Sequence, residues 1–158
     1  MVINSVEEVV ASMKQAAGLY HRLVLLVASS GSGKTAVLQE VVKRTNSPRI
    51  NLNLELSKRL LELPLRQRVL RVRDLIDGII DEEGGESVLL DNIELLFDRT
   101  LKQDPLRLLQ SISRNRTLVA AWNGTLEGGQ LIYATPDHHD YRRYPTHEAL
   151  IVRLEPAS

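Results

Sequence analysis

A lysine and a threonine, adjacent at 34 and 35, close a run of small residues, Ala28-Ser-Ser-Gly31-Ser-Gly33. That pattern suits the cradling of a polyphosphate. A loop with little side-chain bulk lets backbone N–H groups face an anion, and a helix starting at its end adds the positive end of its dipole. Ala28, Ser29, Ser30, Gly31, Ser32 and Gly33 would supply the loop, Lys34 would reach the β- and γ-phosphates, and the Thr35 hydroxyl would ligate Mg²⁺. Ala28 stands where such loops usually carry their first glycine. The backbone there must only turn tightly and stay unobstructed, and alanine permits both.

Carboxylates come next. Val88-Leu-Leu-Asp91 is an apolar run ending in an acid, the form of a Walker B strand, which would set Asp91 beside Thr35 to hold Mg²⁺. An aspartate closing an apolar strand is weak by itself; downstream of a phosphate loop it becomes a strong signal. Hydrolysis also needs a group that orients or deprotonates water, usually a glutamate directly after that aspartate. Here the position is Asn92, which can orient water but cannot accept a proton, and the nearest carboxylate is Glu94. A strand or turn would bring Glu94 close, whereas a helix beginning at Asn92 would aim it elsewhere, as a charge favoured by the helix dipole. Asn123 follows Leu118-Val-Ala-Ala-Trp122 and would sit at a strand tip, where P-loop ATPases with an additional central strand place a γ-phosphate sensor. The pair Asn123-Gly124 also reads simply as a turn. The catalytic candidates are thus Lys34, Asn92, Glu94 and Asn123, and the metal candidates Thr35 and Asp91. No Asn-Lys-x-Asp element is present to select guanine, so ATP is the expected nucleotide.

These residues need elements to hold them. Leu23-Val-Leu-Leu-Val27 reads as a buried strand before the loop, and Ala36 to about Arg44 as a helix after it, a strand–loop–helix unit over 23–45. Ser5-Val-Glu-Glu8 has the form of a capping box, predicting a first helix over about 5–18. Ile50, Leu52, Leu54 and Leu56 alternate with polar residues, predicting a half-buried strand. Residues 57–63 would form a turn or short helix, with Pro64 interrupting before a long helix over 65–80. Further strands are expected at 87–91, 117–122, 131–134 and about 149–154. A helix beginning at Pro105 would be capped by Asp104. Helices alternating with apolar strands predict an α/β fold, a mostly parallel sheet covered on both faces, in one domain over 1–158 with no C-terminal helical lid.

Composition narrows the classes. Twenty basic and twenty acidic residues cancel, so any contact with DNA must come from a local patch rather than global charge. The arginines at 66, 68, 71 and 73 spread around their helix and read as solvated surface. Arg114 and Arg116 are candidates for an arginine finger to a neighbouring subunit. There is no cysteine, hence no disulfide framework. No apolar run approaches the ~20 residues of a membrane span, and no signal peptide is visible, so a cytoplasmic location is expected. His138-His139-Asp140 reads as loop rather than metal site.

The chain resembles the BrxF family, small P-loop proteins of type-three BREX phage-defence systems. The resemblance rests on the phosphate loop, on Asn51-Leu-Asn-Leu-Glu-Leu-Ser57 and on Leu89-Leu-Asp-Asn-Ile-Glu-Leu-Leu-Phe97. Tyr133-Ala-Thr-Pro136 and Tyr141-Arg-Arg-Tyr144 complete it. It implies nucleotide binding at Lys34, Thr35 and Asp91 and a role in blocking phage propagation beside other BREX proteins. Three readings stay open: an AAA-like ATPase subunit that self-associates or docks on BREX partners, with slow turnover conceivable; a nucleotide-gated adaptor with little or no hydrolysis; and a DNA-contacting ATPase.

Overall fold

A computed structural model describes residues 2–133, 142–145 and 149–154. The centre of the fold is β1 (Leu23–Ala28), buried at every position because its apolar run lies between two strands and under helices on both faces. On its one side runs β7 (Leu150–Arg153), on its other β4 (Thr117–Glu127). Beyond β4 come β3 (Ser87–Asp91) and β2 (Arg49–Asn51), giving the order β2-β3-β4-β1-β7, all parallel. The register sets Ala28 opposite Asn123, and Asn51 opposite Asp91.

Alternation along the strands divides the core into two layers. Val24, Leu26, Leu89, Val119 and Val152 point to α1 (Val2–Ala16) and α2 (Lys34–Thr45), meeting Val6, Val9, Val37 and Val41. Leu23, Leu25, Leu90 and Leu118 point the other way, toward α3 (Leu52–Leu60), α4 (Leu65–Glu83) and α5 (Pro105–Ile112). Each such leucine, fully buried, contributes roughly 1.5–3 kcal/mol of transfer free energy. The expected α/β architecture, a mostly parallel sheet with helices on both faces, is what forms.

Several boundaries differ from expectation, each for a physical reason. The first helix begins at Val2 rather than at a Ser5 cap, and Ser5 lies buried inside it. The predicted strand through 50–56 stops at Asn51, and α3 takes over. Leu52, Leu56 and Leu60 satisfy a helical stripe as well as an alternating one, and only the helix leaves Leu54 in solvent. Asn51 accepts the Leu54 N–H and so caps α3. The strand expected over 117–122 runs on to Glu127, because β5 (Gln130–Tyr133) folds back antiparallel on it through Gly128-Gly129, both at positive φ. β6 (Arg142–Pro145) adds to β5 in turn. Asn123 is therefore in regular strand, not a turn. Next to it, Gly124 is required: a Cβ there would lie 1.7 Å from the Ile132 carbonyl oxygen. The last two expected strands shift by a residue at each end, to 130–133 and 150–153. The helix capped by Asp104 forms as expected, its carboxylate accepting the Arg107 N–H. His138, His139, Asp140 and Tyr141, with the Ala134-Thr-Pro136 segment, lie outside the described residues.

Candidate functional site

β1, β4 and β3 are successive neighbours, so their C-terminal ends bring three segments together at one end of the sheet, the place where open parallel sheets bind ligands. The turn after β1 is built by Gly31 and Gly33, at φ 79° and 95°, a region that side-chain-bearing residues avoid. Gly33 occupies the cap of α2, where a helix leaves N–H groups without intrahelical partners. The Ser29 and Ser32 hydroxyls bond each other at 2.7 Å across the base of the turn. A cleft of about 300 Å³ opens over this turn, lined by Ser30, Gly31, Gly33, Lys34, Thr35, Asp91, Asn92, Glu94, Ala121 and Asn123. Ala28, Ser29 and Ser32 face a second hollow, of about 170 Å³, on the β7 side of the loop.

Lys34 is held in the loop's interior, donating to the Ala28 and Ser29 carbonyls at 3.0 and 2.9 Å. Burial pushes its pKa down from the ordinary lysine value, while the Glu94 and Asp91 carboxylates oppose that shift. The ammonium is thus a desolvated cation facing the cleft, suited to phosphate oxygens. One residue on, the Thr35 hydroxyl donates to Asp91 Oδ2 at 2.7 Å. A hydroxyl that gives its proton to a carboxylate keeps its lone pairs for a cation, and hydroxyl plus carboxylate is a hard oxygen set of the kind Mg²⁺ takes. The residues fit that ion.

Asn92 is neither strand nor helix. At φ 54° it is left-handed, and its N–H returns to Asp91 Oδ1 at 3.0 Å. This reversal leads into a 3-10 turn, Glu94–Phe97, that swings Glu94 back over the cleft. Two amides grip the carboxylate: Asn123 donates to Oε1 at 2.6 Å and Asn53 to Oε2 at 2.9 Å. Asn53 also accepts the Leu95 N–H at 2.8 Å, so it locks the turn as well as the acid. Below, Phe97 stacks on Tyr133 at 3.5 Å and meets Trp122 edge-on at 5.1 Å, tying the turn to β4 and its hairpin.

All the sequence-predicted candidates other than Ala28, Ser29 and Ser32 line one cleft. Two participants escaped the sequence reading. Asn53, among the polar residues of the expected strand, lies instead in the first turn of α3. Arg49, at the start of β2, donates through Nε and Nη2 to Asp91 Oδ2 at 3.1 and 2.9 Å. Its only signal is the pairing of β2 with β3, which no local pattern announces. Two of the four arginines of α4 are engaged within the fold: Arg68 donates to the Leu60 and Leu63 carbonyls, and Arg73 to Asp77 and Ser111. Arg114 stacks on Tyr20 and Arg116 pairs with Asp81 at 2.7 Å, both before β4 begins, at the end of the sheet remote from the cleft.

No family model and no curated protein matches the chain. Among solved structures, that of C. elegans PCH-2 is similar over 97% of this chain and 41% of its own, at 18% identity and a TM-score of 0.49. The chain therefore spans less than half the length of PCH-2. Among the described residues, no helix is long and apolar enough to cross a membrane.

Proposed function

We propose that this chain is a Mg·ATP-binding P-loop domain of the additional-strand, AAA-like class, and that it hydrolyses ATP. One observation carries the reading. Lys34, the Thr35–Asp91 pair and the Asn123–Glu94 pair converge on one cleft from three adjacent strand ends. The strand order supports the class, since β4 separates the phosphate-loop strand from the aspartate strand. In use, the loop and Lys34 hold the phosphates, Thr35 and Asp91 hold the cation, and Mg²⁺ when bound neutralises charge on the β- and γ-oxygens. Glu94 accepts the proton of an attacking water, and Asn123 links that carboxylate to the floor of the cleft. Asn92 directs the chain so that a glutamate three places after the aspartate does the work usually done one place after it.

A second reading, a nucleotide-gated adaptor with slow turnover, has its own observation. Both oxygens of Glu94 already accept amide hydrogens, so proton transfer must proceed against two existing bonds. Calorimetry and phosphate release, measured together on the wild type and Glu94→Gln, decide between them. ATPase chemistry predicts a variant that binds ATP normally and turns over at least ~100-fold more slowly. An adaptor predicts equal, negligible release from both.

The place of this domain in a BREX-like phage-defence complex is supported by the segments around residues 51–57 and 89–97, which here supply α3 with its Asn51 cap and the Asp91–Phe97 turn. Loss of phage resistance on deletion of the gene, with rescue by wild type but not Lys34→Ala, is the corresponding test.

A further inference from the structure

Asp91 is crowded on one oxygen. Its Oδ2 accepts three donors, the Thr35 hydroxyl and two guanidinium N–H groups of Arg49, and its Oδ1 accepts the Asn92 N–H. Its side chain is 4% exposed, whereas that of Arg49 is 28% exposed. The asymmetry matters. A buried carboxylate needs a cation or several donors beside it at all times, but Arg49, on β2 beside β3, can turn outward and be solvated. Arg49 reaches Asp91 from the same face of the sheet as α2, in line with the alternation that puts Leu89 and Asp91 on that face.

We propose that Arg49 and Mg²⁺ are alternative partners of Asp91, so that Arg49 is a built-in competitor that sets how much Mg²⁺ the site needs. This rests on the nucleotide-site reading above and adds a residue that neither the loop nor the Walker B pattern specifies. A metal held by the Thr35 hydroxyl, or a water bound to it, needs acceptor capacity on the adjacent Oδ2 of Asp91, and that is the oxygen Arg49 uses. Two cations crowded on one carboxylate also repel, so metal binding displaces the guanidinium. The Thr35 bond need not break, because a hydroxyl can donate to Asp91 and ligate a cation together. Arg49 thereby keeps the buried acid compensated when Mg²⁺ is scarce and raises the Mg²⁺ concentration at which metal–nucleotide takes over.

The test titrates free Mg²⁺, from a chelated start, into wild type, Arg49→Gln and Arg49→Lys, each with a fluorescent non-hydrolysable ATP analogue. Anisotropy gives the half-saturating Mg²⁺. Removal of the competitor lowers that midpoint on the order of tenfold in Arg49→Gln, the scale of one charge-assisted pair. Arg49→Lys, a point charge without the bidentate fork, falls between, and carries the comparison if the glutamine variant does not fold. Melting in chelator supplies an independent readout: Arg49→Gln melts below wild type, and Mg²⁺ with the analogue narrows the gap. Equal midpoints for wild type and variants, or a higher midpoint in the variants, overturn the competition while leaving nucleotide binding standing. Absence of analogue binding in every protein at every Mg²⁺ concentration overturns the nucleotide-site reading, and the competition with it.

Discussion

Lys34→Ala tests the site at the atom on which most depends. The Lys34 residue is 7% exposed, and its ammonium is fixed by the Ala28 and Ser29 carbonyls, so nucleotide binding loses little side-chain entropy there. Truncating one partner of a desolvated charge pair costs about 2–5 kcal/mol. The cleft is open and the loop N–H groups remain, so the lower part of that range applies. About 3 kcal/mol corresponds to roughly a hundredfold loss of ATP affinity. Folding stability should change far less: the variant gives up two hydrogen bonds to carbonyls, but it also removes a cation whose charge burial opposes. Calorimetry with ATP, ADP and AMP then separates the role of the ammonium from general damage. In the proposed site Lys34 acts on the β- and γ-phosphates, so ATP and ADP should weaken strongly and AMP little. A variant with an unchanged melting temperature whose ATP affinity lies within threefold of wild type would refute the reasoning. Equal losses for all three nucleotides would do so too.

Asp91→Ala should abolish Mg²⁺-dependent phosphate release while retaining measurable nucleotide binding, since in the proposed site this carboxylate holds the cation and not the phosphates; normal release would remove it from the metal site. Gly124→Ala should destabilise the protein severely, because its Cβ would fall 1.7 Å from the Ile132 oxygen, and a melting curve unchanged from wild type would contradict the hairpin register. At acid pH, the Thr100 hydroxyl and then its N–H hold the Asp98 carboxyl below its ordinary value of 3.8. Its contribution is complete above that value and is lost as pH falls through the lower folded one, so Asp98→Ala should flatten the acid limb of stability measured by melting between pH 5 and 2. Sedimentation with a non-hydrolysable ATP analogue should reveal self-association, because among the described residues lining the cleft Lys34 is the one cation placed to meet developing γ-phosphate charge, and nucleoside triphosphatases gain ~10³–10⁵ in rate from an added arginine; a monomer with and without the analogue, with specific activity independent of protein concentration, would count against it.

The loop, the strand before it and the aspartate strand were legible because their signals are local. Leu23 to Ala28 is apolar throughout and Gly33-Lys34-Thr35 follows without a gap, so strand, turn and helix are written consecutively. Ser87–Asp91 was legible for the same reason, to the residue. Residues 50–56 read as a strand because leucines at 52 and 56 fit periods of 2 and 3.6 alike, and Leu54 adds to the alternation; only tertiary packing chooses between them. Here α3 gains contact with α4 and leaves Leu54 outside. Asn123 was found by its place after an apolar run, yet its conformation depended on β5, whose pairing begins at the very next residue. Arg49 could not be found by pattern at all. It meets Asp91 only because β2 lies beside β3, and strand adjacency is a property of the assembled sheet.

Glu94 illustrates how a carboxylate can move along a sequence without leaving its place in space. A glutamate directly after Asp91 would extend from the strand end. Instead the chain reverses at Asn92, whose left-handed φ of 54° is tolerated by asparagine better than by most residues. The 3-10 turn that follows brings Glu94 back to the strand end, and its far end is pinned by Phe97 against Tyr133 and Trp122. Asn53 and Asn123 then fix the carboxylate from two different elements, the first turn of α3 and the body of β4. The same asparagine that locks Glu94 also accepts the Leu95 N–H, so the α3 start that replaced the expected strand is itself part of the site. Had residues 50–56 continued as a strand, Asn53 would have passed beyond the end of β3, and one of the two amides on Glu94 would have been lost. The local misreading and the missed site residue therefore have one cause: α3 begins where it does because Asn51 caps it, and that cap delivers Asn53 to the acid.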